Sequence, residues 1–149
     1  MVRTTIKATI YIDRPPEAVT AALLEPAKMP LWTSDLDHFE VISGQPGHVG
    51  AKGLAHYVQD GRPYVMEDLL LVAEPNRRYV SRISMEALTA EIETTLEPSG
   101  PGTQVTIRWS GVGRPPLLRL LLPFMRRSIA RQAQGDLQKL KALVEGGLD

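Results

Sequence analysis

The chain has 149 residues, 43% of them hydrophobic and 23% charged, with 17 basic and 17 acidic side chains and no cysteine. That length supports one domain over residues 1–149 with a core of its own. Zero formal charge supplies no whole-chain field for nucleic acid or acidic lipid, and the missing cysteines remove disulfides, thiol nucleophiles and cysteine-based zinc sites.

The N-terminus alternates, with Ile6, Ala8, Ile10 and Ile12 on one face and Thr5, Lys7, Thr9 and Tyr11 on the other. This is the period of a half-buried strand, and Lys7 and Asp13 set it apart from a signal peptide. The longest apolar runs fall far short of the roughly 20 residues that span a bilayer, so a cytoplasmic protein is expected. Pro15 and Pro16 stop the strand and suit the first turn of a helix, whose apolar face is Val19, Ala22 and Leu23. A second short helix over Ala27–Leu31 is expected to deliver Trp32.

A strand over Phe39–Ser43 leads into a glycine-rich connection holding Gly44, Gly47, Gly50 and Gly53. Leu54–Gln59 and Pro63–Ala73 are the next strands, joined at Asp60-Gly61, a strong hairpin signal. Leu69 to Ala73 do not alternate, which leaves the register of that strand open. Tyr79–Glu86, Thr89–Glu97 and Thr103–Ser110 follow, the middle one with Ala90, Ile92, Thr94 and Leu96 on one face. Gly111 and Gly113 then lead into a leucine- and arginine-rich helical arm, which Gly146-Gly147 terminates. In the arm Met125, Ile129, Ala133, Asp136, Leu140, Leu143 and Val144 recur at helical spacing, with Arg127 and Arg131 opposite. Pro123 allows two readings: a short helix over Pro116–Leu122 that ends there, or one kinked helix. A run of strands closed by one long helix predicts an α+β protein, an antiparallel sheet that buries one face against the helix and leaves an apolar hollow.

Chemical motifs are few. His38, His48 and His56 have no ligand spacing, so no metal site is expected. Gly47 to Gly53 superficially suggests a phosphate loop, but strand-like residues follow where such a loop needs a helix. Ser110 lacks the flanking pattern of a nucleophile elbow. Among strand charges, Arg108 is out of phase with Ile107 and Trp109 and faces water. The orientations of Glu67, Asp68 and Arg82 stay open, and an inward carboxylate there would be the best sign of acid–base chemistry. Between Arg114 and Arg131 stand five arginines and no acid, interleaved with Leu117, Leu118, Leu120, Leu121, Leu122 and Phe124. The leading reading of that segment is a lid over the hollow with a solvated arginine rim; self-association and membrane-surface contact are the alternatives.

The ordered pieces together resemble the SRPBCC superfamily, the START/Bet v 1-like helix-grip proteins that include polyketide cyclase/dehydrase-like members. The residues that carry the resemblance are Pro16-Glu17-Ala18-Val19 after the first strand, Trp32, the Gly47/Gly50/Gly53 loop, Glu74-Pro75-Asn76-Arg77-Arg78, Pro123, and Asp136 to Lys141. The resemblance implies a seven-stranded curved antiparallel sheet around the C-terminal helix, two short helices after strand 1, and a cavity between sheet and helix. It implies that Trp32, Tyr57, Met66, Tyr79, Ile83, Ile92, Trp109, Leu122, Met125 and Ile129 line that cavity, where pattern alone favours plain core for such bulky side chains. The expected function is binding of a small hydrophobic or amphipathic molecule such as a lipid, polyketide or aromatic compound. The rival is a cofactor-free cyclase or dehydratase using the same cavity, in a monomer or homodimer.

Overall fold

Alternation in the first strand, β1 (Thr4–Ile12), is matched by burial: Ile6, Ala8, Ile10 and Ile12 are buried while Thr5 and Lys7 are exposed. The computed structural model describes residues 3–146. After β1 come helices α1 (Pro16–Leu24) and α2 (Met29–Trp32), then strands β2 (Leu36–Ser43), β3 (Lys52–Gln59), β4 (Arg62–Glu74), β5 (Arg78–Ser84), β6 (Leu88–Ser99) and β7 (Gly102–Gly113). Helix α3 (Pro116–Leu121), a 3-10 turn (Leu122–Met125) and helix α4 (Arg126–Glu145) complete the fold. Gly146 caps α4, and Gly147 lies outside the described residues.

The strands form one antiparallel sheet in the order β1-β7-β6-β5-β4-β3-β2. Six strands run as a meander, and β1 closes onto the last of them. Asp60 and Gly61 both have positive φ (51° and 77°), the backbone demanded by a two-residue turn matched to strand twist.

Several local expectations shift: β2 begins at Leu36 rather than Phe39, β3 takes in Gly53 from the expected connection, and β5 ends at Ser84 rather than Glu86. Helix α2 starts at Met29 rather than Ala27, because Pro30 fits a helix's first turn and so marks its beginning. The strand expected to end at Ser110 continues through Gly113. Its two glycines make room for neighbours: a side chain at Gly111 would strike the Trp109 ring at 2.3 Å, and one at Gly113 would meet Leu118 at 2.7 Å. At Pro123 the arm takes the first of its two readings, with α3 ending before the 3-10 turn that holds the proline.

Helix α4 packs across β1 and buries Leu137, Leu140, Leu143 and Val144 against Ala8, Ile10, Ile12, Val105 and Leu96. The same helix covers the free edge of β1 with polar side chains. Gln134 donates to the Thr9 carbonyl at 3.2 Å, Lys141 to the Tyr11 carbonyl at 2.7 Å, and the Asp13 amide donates to Glu145 at 2.8 Å. That amide, with Lys141 beside it, holds the Glu145 carboxyl below its ordinary range. An edge strand so covered offers no template for another chain.

Leu140 is fully buried in this layer. Leu140→Ala should lower unfolding free energy by about 2–5 kcal/mol, measured by urea denaturation, because the helix cannot close the resulting gap without leaving β1.

Candidate functional site

Beyond β1 the concave face of the sheet has no helix lying directly on it, and a cavity of about 1100 Å³ occupies the space. Its floor is built by alternation: Met66 on β4, Tyr79 and Ile83 on β5, Ile92 and Thr94 on β6, and Ile107 and Trp109 on β7 all turn inward. Leu36, Phe39 and Tyr57 form one side. The roof carries Trp32 from α2, Leu118 from α3, Leu122 and Met125 from the 3-10 turn, and Ile129 and Ala133 from α4. All ten residues expected at a cavity therefore sit on its walls, with Met125 partly open to solvent.

Several of these side chains are held by specific partners. The Trp32 indole N–H donates to the Ala22 carbonyl at 3.0 Å, tying α2 to the end of α1. The Asn76 amide donates to the Tyr79 hydroxyl at 3.0 Å, anchoring that ring from the β4–β5 turn. Tyr57 and Tyr64, paired across β3 and β4, stack with centroids 4.9 Å apart and planes 9° apart.

Lys52, Asp60 and Arg62 reach the cavity only at its exposed rim, whereas two less exposed carboxylates, Asp68 and Asp136, break the apolar lining. Asp68 lies on β4 opposite Ile83 and faces the cavity, whereas Glu67 and Arg82 are exposed on the other face. Burial pushes the Asp68 carboxyl up to about 6, the Ser81 hydroxyl on β5 pulling weakly the other way. A carboxyl in that range carries either protonation state near neutral pH. Asp136 reaches the cavity from α4 and accepts from the Ser34 amide at 3.1 Å and from the Ser34 hydroxyl. Burial raises its pKa too, with the two Ser34 bonds opposing. The Tyr57 phenol is pushed far up, first by burial, then by Tyr64 and by the two carboxylates. It stays neutral and keeps its proton to donate.

Sequence reasoning left Asp68 undecided and counted Asp136 within an apolar helical stripe. One acid on an otherwise greasy stripe was the available signal. Arg108 faces outward beside Glu93 at 3.8 Å, as its phase requires. His38 and His56 stack on β2 and β3 with centroids 4.2 Å apart, and His56 meets Glu40 at 2.9 Å, away from the cavity lining. Among the described residues no group of three or more His, Cys, Asp or Glu gathers as a metal site would. No helix among them is long and apolar enough to cross a membrane.

A curved antiparallel sheet gripping one long helix over an apolar cavity defines a helix-grip protein with a hydrophobic-ligand-binding cavity, the START/Bet v 1-like fold of the SRPBCC superfamily. The family model described as polyketide cyclase/dehydrase and lipid transport matches residues 3–145, and the chain belongs to that family. Solved structures agree on the fold. Ara h 8.0201 superposes with a TM-score of 0.79 at 18% identity, over 98% of this chain and 100% of that one. Protein CV1439 from Chromobacterium violaceum gives 0.76 at 22% identity, over 95% of this chain and 98% of that one. The di-domain ARO/CYC StfQ from the steffimycin biosynthetic pathway gives 0.81 at 15% identity, over 97% of this chain, which spans 52% of StfQ. No curated protein matches the chain.

The raised pKa of Asp68 carries a stability consequence. Its folded value, about 6, exceeds its ordinary 3.8, so the folded state holds the proton more tightly than the unfolded one. Folding therefore loses stability as pH rises from about 4 through about 6, by up to about 3 kcal/mol for a displacement of roughly two pH units. Asp68→Asn removes that loss. In urea unfolding at a series of pH values, the variant should gain on the wild type between pH 4 and 7 and show no gain below pH 4.

Proposed function

We propose that the protein reversibly binds a small amphipathic molecule whose apolar body fills the cavity and whose hydroxyl or other proton-donating end reaches Asp68. The observation that carries this reading is the inward Asp68 carboxylate among the aromatic and aliphatic walls formed by Trp32, Tyr57, Met66, Tyr79, Ile83, Ile92, Trp109, Leu122, Met125 and Ile129. Burial of the apolar body supplies affinity, while a buried acceptor left unmatched is costly and so selects ligands that donate to it. A cavity near 1100 Å³ has room for a molecule of polycyclic size. Asp136 contributes less to recognition, because Ser34 already occupies one of its oxygens.

The same carboxylate favours a second reading, acid–base chemistry on a bound carbonyl compound. With its pKa near 6, Asp68 can take a proton from a carbon between two carbonyls. The enolate so formed attacks a further carbonyl of the same chain, and the Asp68 acid returns the proton to the new alkoxide. No proton or electron is gained or lost overall, so ring closure of this kind needs no cofactor. The family's description, which spans cyclases and lipid transport, accommodates both readings.

Naphthalene and 2-naphthol separate the parts of the proposal. Both should change tryptophan emission saturably, since Trp32 and Trp109 line the cavity. The naphthol should bind more tightly, by about 10-fold or more if it donates to a carboxylate, and tighten further as pH rises through about 6. Asp68→Asn should erase that advantage and leave naphthalene unaffected. Silence from both probes would remove the binding reading; equal naphthol affinity in wild type and variant would remove Asp68 from it. For the catalytic reading, the readout is deuterium uptake at the central methylene of a naphthyl 1,3-diketone. Uptake should be faster with wild-type protein than with buffer or Asp68→Asn, and equal rates would leave carriage alone.

A further inference from the structure

Helix α3 and the 3-10 turn have two apolar faces. Leu118 and Leu122 turn inward onto the cavity. Leu117, Leu120, Leu121 and Phe124, spaced three and four residues apart, turn outward into solvent. Their exposure is large: 67% for Leu117 and Leu120, 44% for Leu121 and 82% for Phe124. Four apolar side chains on one stripe are not the scattered single exposures of an ordinary surface.

The charges around the stripe are equally unusual. Arg119, Arg126, Arg127 and Arg131 are exposed, and among the described residues none of them meets a carboxylate. Of the seven arginines elsewhere, three pair with carboxylates: Arg77 with Glu74, Arg78 with Glu74 and Glu93, and Arg108 with Glu93. Residues 114–131 hold five arginines and no acid, which leaves the rest of a neutral chain with twelve basic against seventeen acidic residues. The molecule is thus strongly polarised toward this end.

We propose that the stripe Leu117, Leu120, Leu121 and Phe124 docks on the surface of an anionic bilayer, with Arg119, Arg126, Arg127 and Arg131 on lipid phosphates. Apolar side chains inserted at the headgroup boundary and flanking cations above it are the two contributions that hold a peripheral protein on such a surface. All five basic residues of the segment are arginine, whose planar fork matches a phosphate with two parallel hydrogen bonds. A second copy meeting the same face would press two unpaired arginine sets together, so the charge distribution opposes a symmetric dimer there. Docking in this way lays the outer face of α3 on lipid while its inner face lines the cavity.

The test is cosedimentation of the full chain with vesicles of phosphatidylcholine alone and of phosphatidylcholine mixed with phosphatidylserine. Binding should be confined to the mixed vesicles and should weaken steeply with salt. Phe124→Ser with Leu120→Ser should abolish it without lowering the melting temperature, since both side chains are exposed. Arg119→Gln or Arg127→Gln should each weaken it about fivefold. Naphthalene binding in free solution should survive in all these variants, which separates failure of docking from failure of the cavity reading. Absence of binding to mixed vesicles, or equal binding to neutral ones, overturns the proposal. So does concentration-dependent self-association that disappears in the Phe124→Ser, Leu120→Ser variant, which would assign the stripe to a second copy.

Discussion

One helix cannot cover this sheet, and the rest of the structure depends on that mismatch. Seven strands at about 4.8 Å spacing make a sheet roughly 29 Å wide, whereas a helix with its side chains is about 10–12 Å across. Helix α4, with 20 residues, is roughly 30 Å long, ample along the strands and too narrow across them. It is drawn to the β1 side, where Leu137, Leu140, Leu143 and Val144 meet the inward residues of β1 and β7. The concave face of β3 to β6 is then left without a layer of its own. Short elements at the rim, α2 and α3 with the 3-10 turn, reach over it without filling it.

A hollow of this kind changes the behaviour of polar groups inside it. Asp68 is stripped of much of its water and receives only the Ser81 hydroxyl in return, so its proton is retained to a higher pH. Asp136 is also desolvated, but the Ser34 amide and hydroxyl give it fixed partners that tie the α2–β2 connection to the long helix. The two acids thus divide along physical lines. The first has spare acceptor capacity directed at the cavity, and the second is largely committed to holding the roof.

Most of the fold was legible because its signals are periodic. Alternation marks β1, β6 and β7, Asp60-Gly61 marks the β3–β4 hairpin, and the helical stripe marks α4. The ambiguity at Leu69 to Ala73 had a structural cause, since β4 has a bulge between Leu70 and Val72 that breaks its register with β5. A period of two cannot be read through a bulge, and one residue of slip decides whether Glu67 or Asp68 faces inward. Leu137, fully buried, was absent from the expected stripe although its neighbours Asp136 and Leu140 were in it. Stripe-counting treats every position on the helix face as equivalent, whereas α4 crosses from the cavity onto the core along its length.

That crossing gives the two halves of α4 different support. From Leu137 onward the helix is packed against β1 and fastened by Lys141 and Glu145 to the strand's edge. Before it, Ile129 lines the cavity, Ala133 sits at the edge of the packed core, and Arg126, Arg127 and Ser128 are exposed. Contacts of this kind set local opening free energies, so the helix is held firmly at its C-terminal half and weakly near Met125. The neighbouring α3 is anchored mainly through Arg114, which donates to the Met85 and Glu86 carbonyls at 2.9 Å each and to the Thr89 hydroxyl. The stretch between Leu118 and Ile129 thus runs between two anchored ends, with Leu122 as its buried point and Leu120, Leu121 and Phe124 on its exposed side.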